Sequence, residues 1–420
     1  MKKFSILLLI ILIDFKTEAQ LPTIFAKETA DSSSIHIGII GDIDFNSSAL
    51  TTRFISKFYS GSYIDQDTKD GVLNRTKNVN RVGADVNYGV FASIKPDSLF
   101  HKKGINYFFS IRDREHFDAK YSDDFYKVGF YGNSQYAGRT AYFNDFNLNF
   151  IRYQQLQIGI YKAKSDTTIN FGIGVSFLKG EQFASIAARK AELYTSADGQ
   201  YIDFNTSMQV AQSDTAHKGI GALNGYGASV DIYLEAPLKT RFRKCKFRFS
   251  VSDLGAIRFN KQTLYLNQDS LFHYTGFQIH NINDLKDSTF GHTNKDSLQK
   301  SIAPFKKKAF NVTLPATLDV SFETEFNKYF HLKEGVKYIY NANYNILYYV
   351  KGNFIINKKF SFNATFGYGG YGNFNYGIGL FANFGKGFMM FAGSNNIEGY
   401  VAQKSSSGLG AYISLIKAFK

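Results

Sequence analysis

Two short patterns in this sequence of 420 residues contain the residue types that calcium and dinucleotide sites use. The segment from Asp65 to Gly71 carries three acids, but its glycine stands one position too late for a calcium loop. Gly377, Gly379 and Ala382 have the spacing of a dinucleotide-binding turn. They lie inside an alternating strand, however, and that fingerprint needs a turn between a strand and a helix. Neither pattern therefore predicts a ligand.

Histidine and cysteine give no metal-site pattern either. Two histidines placed two or four residues apart would share one face of a strand or a helix and could bind one ion together. No such pair occurs among the eight histidines, which are His36, His101, His116, His217, His273, His280, His292 and His331. The single Cys245 excludes an intrachain disulfide framework and a zinc site built from several thiolates.

Catalytic motifs are also missing from the sequence. There is no Gly-x-Ser-x-Gly nucleophile elbow. The adjacent acids Asp123 and Asp124 are more typical of a solvated loop than of an acid and base pair. We therefore assign no catalytic, cofactor-binding or metal-ligating residue, and we predict a protein that is not an enzyme and has no cofactor.

The composition indicates a folded, basic and aromatic-rich protein. It has 42 Phe and 28 Tyr, and its hydrophobic content of 44% excludes a long disordered chain. The formal net charge is +14. In an exported protein such a charge meets lipid phosphates before it meets nucleic acid, so we predict no nucleic-acid partner. The densest basic run fits either a strand end at a phosphate-rich interface or a solvated turn; it consists of Arg241, Arg243, Lys244, Lys246 and Arg248.

The first residues, 1–19, have the features of a cleaved secretory signal peptide. Lys2 and Lys3 precede an apolar run over 6–13, and small residues then fit a signal-peptidase site before Gln20. The apolar run would extend only about 12 Å as a helix, whereas a bilayer core is roughly 30 Å thick. The predicted mature protein is thus a single exported domain over 20–420.

Strict alternation of polar and apolar residues covers 311–326 and predicts one long strand there. The even positions form the apolar face, which consists of Val312, Leu314, Ala316, Leu318, Val320, Phe322, Thr324 and Phe326. The odd positions are mostly polar and include Asp319 and Glu323. Because successive side chains of a strand point to opposite faces, the two faces of this strand must lie in different environments.

Three further runs alternate in the same way. The run over 336–350 predicts another long strand with its large residues at even positions. The runs over 360–368 and 374–384 flank a Gly-rich turn and predict a hairpin of two long strands. Together with weaker runs earlier in the chain, this gives about fourteen strands, a number within the range of outer-membrane barrels.

The length of these strands favours an all-β, transmembrane antiparallel β-barrel over a soluble fold. Strands of a sandwich usually have about 5–6 residues, whereas a strand that crosses a bilayer needs about 9–11. The polar face then lines the lumen, because charges such as Asp319 are costly where they face lipid. A large secreted β-sandwich or propeller is the alternative.

Two segments lack sustained alternation. Residues 260–310 are polar and predict the longest loop or plug, with a short helix at 296–302 before Pro304. Such long segments in compact folds are often functional, although a plain solvated loop explains the composition equally well. Residues 46–80 are irregular and carry several aromatics, which fits a loop folded into the lumen.

Several short phrases support a family resemblance. They are VSDLGAIRF at 251–259, LPAT at 314–317, NRVG at 80–83 and the mature start at Gln20. With these phrases the chain resembles an uncharacterised outer-membrane barrel family of Bacteroidota, which is remotely similar to long-chain fatty-acid transporters and to the barrel subunits of type IX secretion. The resemblance implies a barrel of about fourteen strands. No binding residue of those transporters can be matched to a position here.

The resemblance implies one of two roles in the outer membrane. The first is passage or uptake of a small hydrophobic solute through the lumen. The second is a non-conducting scaffold that docks a secreted or surface protein. In either role the expected partners are outer-membrane lipids and the machinery that inserts barrels. That machinery generally reads an alternating last strand such as the one over 409–420, in which the aromatic Phe419 is penultimate.

Overall fold

The computed structural model describes residues 35–96, 104–162, 168–214, 216–217, 219–239, 243–275 and 305–419. The predicted signal peptide, the start at Gln20 and the predicted helix at 296–302 lie outside these residues, so they stay predictions. No helix in the described part of the chain is long and apolar enough to cross a bilayer.

The described residues form nineteen strands and four α-helices. The strands are β1 Ile35–Ser47, β2 Asn80–Ile94, β3 Ile105–Tyr121, β4 Arg139–Tyr142, β5 Phe146–Lys162, β6 Asn170–Thr195, β7 Ile202–Gln212, β8 Gly225–Lys239, β9 Lys244–Phe259, β10 Leu264–Tyr274, β11 Lys306–Lys307, β12 Phe310–Thr313, β13 Ala316–Asn327, β14 Phe330–Tyr340, β15 Leu347–Ile355, β16 Phe360–Tyr368, β17 Phe374–Gly385, β18 Phe388–Ser394 and β19 Gly408–Phe419. The helices are α1 Thr52–Ser60, α2 Gln66–Leu73, α3 Asp123–Tyr131 and α4 Glu398–Val401.

Fourteen of the described strands close into an antiparallel barrel, which confirms the predicted fold class. The order around the wall is β1, β2, β3, β5, β6, β8, β9, β13, β14, β15, β16, β17, β18 and β19. The last strand pairs with the first over twelve positions, from Ile35 opposite Phe419 to Asn46 opposite Gly408. Closure satisfies the backbone hydrogen bonds of both edge strands, which an open sheet leaves unpaired.

Alternation along each strand separates an apolar outer surface from a polar interior. In β1, Ile37, Ile39 and Ile43 are exposed on the outside, whereas His36 and Asn46 are buried on the inner face. The predicted hairpin is confirmed, because β16 pairs with β17 and its outward residues include several phenylalanines. Its turn contains two glycines with positive φ, a conformation that other residues rarely adopt.

Two of the predicted strands are wrong in detail. Residues 336–350 form the end of β14, a turn over 341–346 and the start of β15, so a hairpin replaces the single strand. Residues 311–326 are split at Leu314 and Pro315 into β12 and β13. Val312 and Leu314 are buried in an inner cluster, whereas Leu318 is on the outer face, so the predicted common face does not exist.

The two ends of the barrel differ in the length of their connections. At one end short turns join the strands, such as the two-residue links from β13 to β14 and from β17 to β18. At the other end the connections are long and carry the helices. There the 26-residue strand β6 continues beyond the wall and pairs with β7, which pairs with β10. The predicted loop at 260–310 therefore begins with a strand, since β10 covers Leu264–Tyr274.

The prediction that the segment 46–80 folds into the lumen as a loop is wrong. The segment instead forms helices outside the wall. Phe54 of α1 and Val72 of α2 are buried with Ala119 and Tyr121, which occupy outward positions of β3. Both α1 and α2 follow a residue whose side chain accepts a hydrogen bond from the first turn of the helix. Before α1, for example, Thr51 accepts from the Phe54 amide.

We expect Phe54→Ala to destabilise this outer helical layer by about 3–5 kcal/mol, the usual cost of truncating a buried phenylalanine. Phe54 is 2% exposed and packs edge-on against Phe130 of α3, with ring centroids 5.0 Å apart. Hydrogen exchange of the amides over 52–73 measures the effect. The control Tyr63→Ala removes a ring that is 84% exposed and should leave exchange unchanged. Equal exchange in both variants would contradict the packing role.

Candidate functional site

The inward positions of the wall surround a mixed-charge cavity of about 190 Å³, here called the luminal chamber. Acids reach it from β1, β2, β3 and β13, and bases reach it from β3, β14 and β15. Its charged lining includes Asp42, Asp44, Asp85, Arg114, His116, Asp319, Lys333, Lys337 and Lys351. Because charges are rarely buried without partners, the contacts of each group indicate what the chamber can bind.

Arg112 and Arg114 of β3 are held by acids from β8 and β9, and Arg112 lies 3.8 Å from Asp231. The Arg114 guanidinium lies 3.0 Å from the carboxylate of Asp253, which is 1% exposed. Gln155 of β5 donates to the same carboxylate at 2.9 Å. Asp253 stands at a bulge with φ 60°, and its backbone N–H donates to Asp231 at 2.6 Å. This network fixes the side of the chamber formed by β3, β5, β8 and β9.

His116 lies at the boundary of the chamber that faces the end of the barrel with long connections. Its Nδ1 lies 2.7 Å from Asp85 and its Nε2 lies 3.1 Å from Asp118. The backbone N–H of Asn343, in the turn between β14 and β15, donates to Asp118 at 2.9 Å. The side chain of Asn343 donates to Asn147 at 2.7 Å. A turn from one side of the barrel is thereby attached to the strands of the other side.

A second turn completes this boundary. Tyr371, between β16 and β17, is 4% exposed, and its hydroxyl lies 3.3 Å from Nε2 of His116. The ring of Tyr344 packs edge-on against that of Tyr371, with centroids 4.8 Å apart. The two turns also share a hydrogen bond from the Asn345 N–H to the Gly370 carbonyl. We call the turns 341–346 and 369–373 together the ceiling of the chamber.

Above the ceiling lies a larger polar cleft of about 910 Å³, here called the vestibule. One wall is the continuation of the barrel sheet into β6, β7 and β10, and the other is the turn at 341–343. Its lining is rich in amides, which include Asn147, Asn149, Gln209, Asn267, Asn341 and Asn343. The turn 341–346 therefore separates the vestibule from the chamber, since Tyr344 of the same turn lines the chamber.

Near the end with short turns, a second ionic cluster lies on the inner face. Arg248 donates to Glu235 at 2.6 Å and also pairs with Glu323. Lys246 lies 3.5 Å from Glu235. The sequence of this basic run fits an interfacial strand end or a solvated turn, but Lys246 and Arg248 point into the lumen. Period-two alternation explains the difference, because Lys246 and Arg248 share the inner face while the phenylalanines between and after them face outward.

The polar residues predicted to face the lumen on β13 do so. Asp319 is 6% exposed and accepts hydrogen bonds from the Tyr349 hydroxyl at 2.9 and 3.0 Å. Glu323 lies 3.3 Å from His331 and pairs with Arg248. Both acids are thus integrated into the inner wall, and Asp319 lines the chamber.

The short motifs in the sequence have structural roles in the described residues. Asp65 begins α2 and accepts from the Thr68 amide at 2.8 Å, and the hydrogen bond from Lys57 holds the pKa of its carboxyl below the ordinary range. Asp123 lies 2.7 Å from Lys127 in the first turn of α3. Gly379 lies within β17, where a Cβ would collide with the Tyr412 hydroxyl. Among the described residues, no three His, Cys, Asp or Glu side chains converge as metal ligands.

Glu398 of α4 gives the connection between β18 and β19 a predicted pH dependence. Burial raises the pKa of Glu398 to about 7, and nearby amides oppose this shift only in part. Between its ordinary value of 4.5 and about 7, the folded protein binds a proton that the unfolded chain has lost. Stability should therefore fall as the pH rises through this window and level off above it.

Glu398→Gln should remove this contribution to the pH dependence. The measurement is the thermal unfolding midpoint in detergent at a series of pH values from 4 to 8. Glu192→Gln changes a half-exposed acid at the same end and should keep the slope of the unmodified protein. An unchanged slope in the Glu398 variant would contradict the assignment.

Similar solved structures are bacterial barrels of low sequence identity. The Pseudomonas putida toluene transporter TodX is 10% identical over 97% of this chain and 95% of that chain, with a TM-score of 0.44. The Ralstonia pickettii toluene transporter TbuX is 9% identical over 93% and 91%, with a TM-score of 0.43. A Pseudomonas aeruginosa FadL homologue is 10% identical over 93% and 92%, also with a TM-score of 0.43.

No curated protein matches the chain. The Bacteroidota origin and the similarity to type IX secretion barrels stay predictions. A family model matches residues 29–395, which is most of the sequence. The chain therefore belongs to the family of unknown function DUF5723.

Proposed function

We propose that the protein is an integral outer-membrane β-barrel that passes a small polar solute through its lumen. The observation that carries this proposal is the luminal chamber, a mixed-charge cavity enclosed by a barrel wall with an apolar outer surface. The proposal includes export through the predicted signal peptide and insertion by the barrel-assembly machinery.

The outer surface supports the membrane location. Exposed apolar side chains alternate along the outward face of β6, where Phe171, Ile173, Val175 and Phe177 are each 40–52% exposed. Soluble monomers rarely expose apolar patches larger than a few hundred Å². Outer-membrane barrels carry such a band, with short turns on the periplasmic side and long loops outside. In this proposal the helices, the vestibule and the ceiling lie on the extracellular side.

An outward ionic cluster supports the upper limit of this band. Arg152 of β5 lies 3.3 Å from Asp113 and 3.1 Å from Glu181, and all three occupy the outer face of the wall or a bulge in it. Charged groups are costly in the hydrocarbon core but not at its boundary. The lipid-facing region of these strands therefore ends below Arg152.

The lining of the chamber favours a polar solute. A hydrophobic solute, as the family resemblance implied, would remove water from several charged groups without giving them hydrogen bonds. A polar solute can replace that water. The ceiling closes the direct path from the vestibule, so passage requires that the turns 341–346 and 369–373 move apart.

Gel mobility and conductance test the proposal in sequence. The unboiled, detergent-extracted protein should run differently from the boiled sample, and carbonate should not extract it from membranes. In planar bilayers it should give low conductance with discrete openings. A soluble protein with no heat-dependent shift would overturn the membrane location, and a folded barrel with no openings would overturn passage.

The extended strands favour a second function, a non-conducting scaffold for a secreted or surface protein. β6, β7 and β10 project a polar sheet beyond the wall on the proposed extracellular side. A scaffold would show the mobility shift but no conductance. It would therefore have no conductance or uptake that Asp319→Asn or Glu323→Gln could alter.

A further inference from the structure

We infer that the luminal chamber binds a small zwitterion, namely a free α-amino acid, with its ammonium at Asp42 and Asp44 and its carboxylate at Lys337. This inference rests on the proposed function and deepens it, because it names the class of solute. The charges that remain after the ion pairs within the wall are formed define the site.

Most charged groups of the chamber already have partners in their own part of the wall. Arg114 pairs with Asp253, and His116 lies between Asp85 and Asp118. On the opposite side, Lys333 lies 3.8 Å from Asp319. These groups form the frame of the chamber and are not the ones that a solute would have to separate.

Two acids of β1 remain without a cationic partner. Asp42 and Asp44 face the chamber from successive inward positions, and neither forms an ion pair within 4.0 Å among the described residues. Within the described residues, the hydrogen bonds of these two acids come from amides only: Asn87 donates to Asp42 at 3.4 Å, and Asn396 donates to Asp44 at 2.6 Å. Both side chains therefore retain carboxyl oxygens that can accept from a charged donor.

Lys337 is the complementary cation. It faces the chamber from β14, which lies opposite β1 and β2 in the order of strands around the barrel. It forms no hydrogen bond and no ion pair within 4.0 Å to any described residue. The wall thus holds opposite charges apart, with the chamber between them.

Unpartnered amide oxygens lie beside the acids. Asn46 and Asn87 are 8% and 3% exposed, both line the chamber, and the Oδ1 of each lacks a hydrogen-bond partner in the described structure. Buried polar atoms in native proteins are nearly always hydrogen-bonded, so unpartnered ones in a cavity indicate a missing donor. An ammonium carries three donors and no acceptor, which matches a set of carboxylate and amide oxygens.

A solute with a single charge fits this arrangement less well. A cation at Asp42 and Asp44 would be repelled by the ammonium of Lys337, and an anion at Lys337 would be repelled by the carboxylates. A zwitterion satisfies both sides at once. The volume of about 190 Å³ suits a small solute, since one water needs only about 10–15 Å³.

Equilibrium dialysis of labelled L-alanine against the full-length mature protein in detergent tests the inference. L-alanine should bind saturably, and unlabelled L-alanine should compete at least tenfold better than propionate or ethylamine, each of which carries one of the two charges. This competition series uses the unmodified protein and therefore needs no variant. Equal competition by all three, or no saturable binding of L-alanine, would overturn the inference.

Charge-removing variants then locate the site. Lys337→Met and Asp44→Asn should each weaken L-alanine binding roughly 10- to 100-fold, the range for losing one hydrogen bond to a charged group. The matched controls Lys358→Met and Asp198→Asn remove exposed charges outside the lumen and should leave binding unchanged. A heat-dependent mobility shift verifies the folding of each variant. Folded variants with unchanged binding would overturn the assignment to these residues.

The inference and the proposed function fail in different ways. Bilayer openings without any preference for L-alanine would leave passage intact and exclude the zwitterion. L-alanine binding without openings would keep the site and exclude passage.

Discussion

Arg114→Met should destabilise the barrel by about 3–5 kcal/mol, the usual cost of breaking a buried ion pair by removing one partner. The variant leaves the carboxylate of Asp253, which is 1% exposed, without its cation. It also leaves that carboxylate close to Asp231, whose Oδ1 accepts from the Asp253 amide. The measurement is the free energy of unfolding from a urea titration of the barrel in lipid vesicles.

The double variant Arg114→Met, Asp253→Asn separates loss of the pair from loss of packing. Asparagine tolerates the positive φ at position 253 and keeps the volume of the side chain. It removes the uncompensated charge, so the double variant should regain a large part of the loss. Arg258→Met is the control, because Arg258 lies on the same strand as Asp253, β9, and is exposed on its outer face. Equal destabilisation in the single and double variants would contradict the electrostatic explanation.

Strand faces could be predicted from sequence where alternation is uninterrupted. In β13 from residue 316 onward, and in β16 and β17, period two fixes which side chains face outward and which face the lumen. Prediction failed where the backbone leaves that period. The pairing with β9 is interrupted between Thr313 and Thr317, and it has the same register on both sides of this interruption. The chain changes faces there, so Val312 faces inward although it shares parity with Leu318.

The turn at 341–346 was missed for a different reason. It contains neither glycine nor proline, and its even residues, Ala342, Tyr344 and Ile346, continue the alternating pattern. Asn341 provides the turn, with φ 58°, a conformation that asparagine adopts more readily than most residues. Asparagines at 341, 343 and 345 were a usable signal, since this residue type is typical of turns.

The outer helices also left local signals that alternation does not register. Thr51, Asp65 and Ser122 each precede a helix and accept a hydrogen bond from its first turn, as N-cap residues do. The luminal network is different in kind. Its contacts join residues far apart in the chain, such as Arg114 with Asp253, and no single sequence shows which distant strands meet across a barrel.

Tyr371→Ala should open the ceiling and raise the single-channel conductance several-fold. The ring of Tyr371 lies directly on the backbone of Gly83, where a Cβ would collide with it, so the residue spans from its own turn to β2. Its removal takes away the edge-on contact to Tyr344 and the contact to His116. The turns 341–346 and 369–373 then retain the backbone hydrogen bond from Asn345 and the attachment of Asn343 to Asp118.

A second variant approaches the same contact from the other side. Gly83→Val places a side chain where the Tyr371 ring lies, so it should displace the ring and raise conductance without altering any residue of the ceiling. Tyr329→Ala, in the turn between β13 and β14 at the opposite end, is the control and should leave conductance unchanged. If the Tyr371 and Gly83 variants both fold, as the mobility shift would show, and both conduct like the unmodified protein, the barrier to passage lies elsewhere in the lumen. If both variants conduct more than the unmodified protein, the ceiling and not the barrel wall determines whether the chamber is open to the outside.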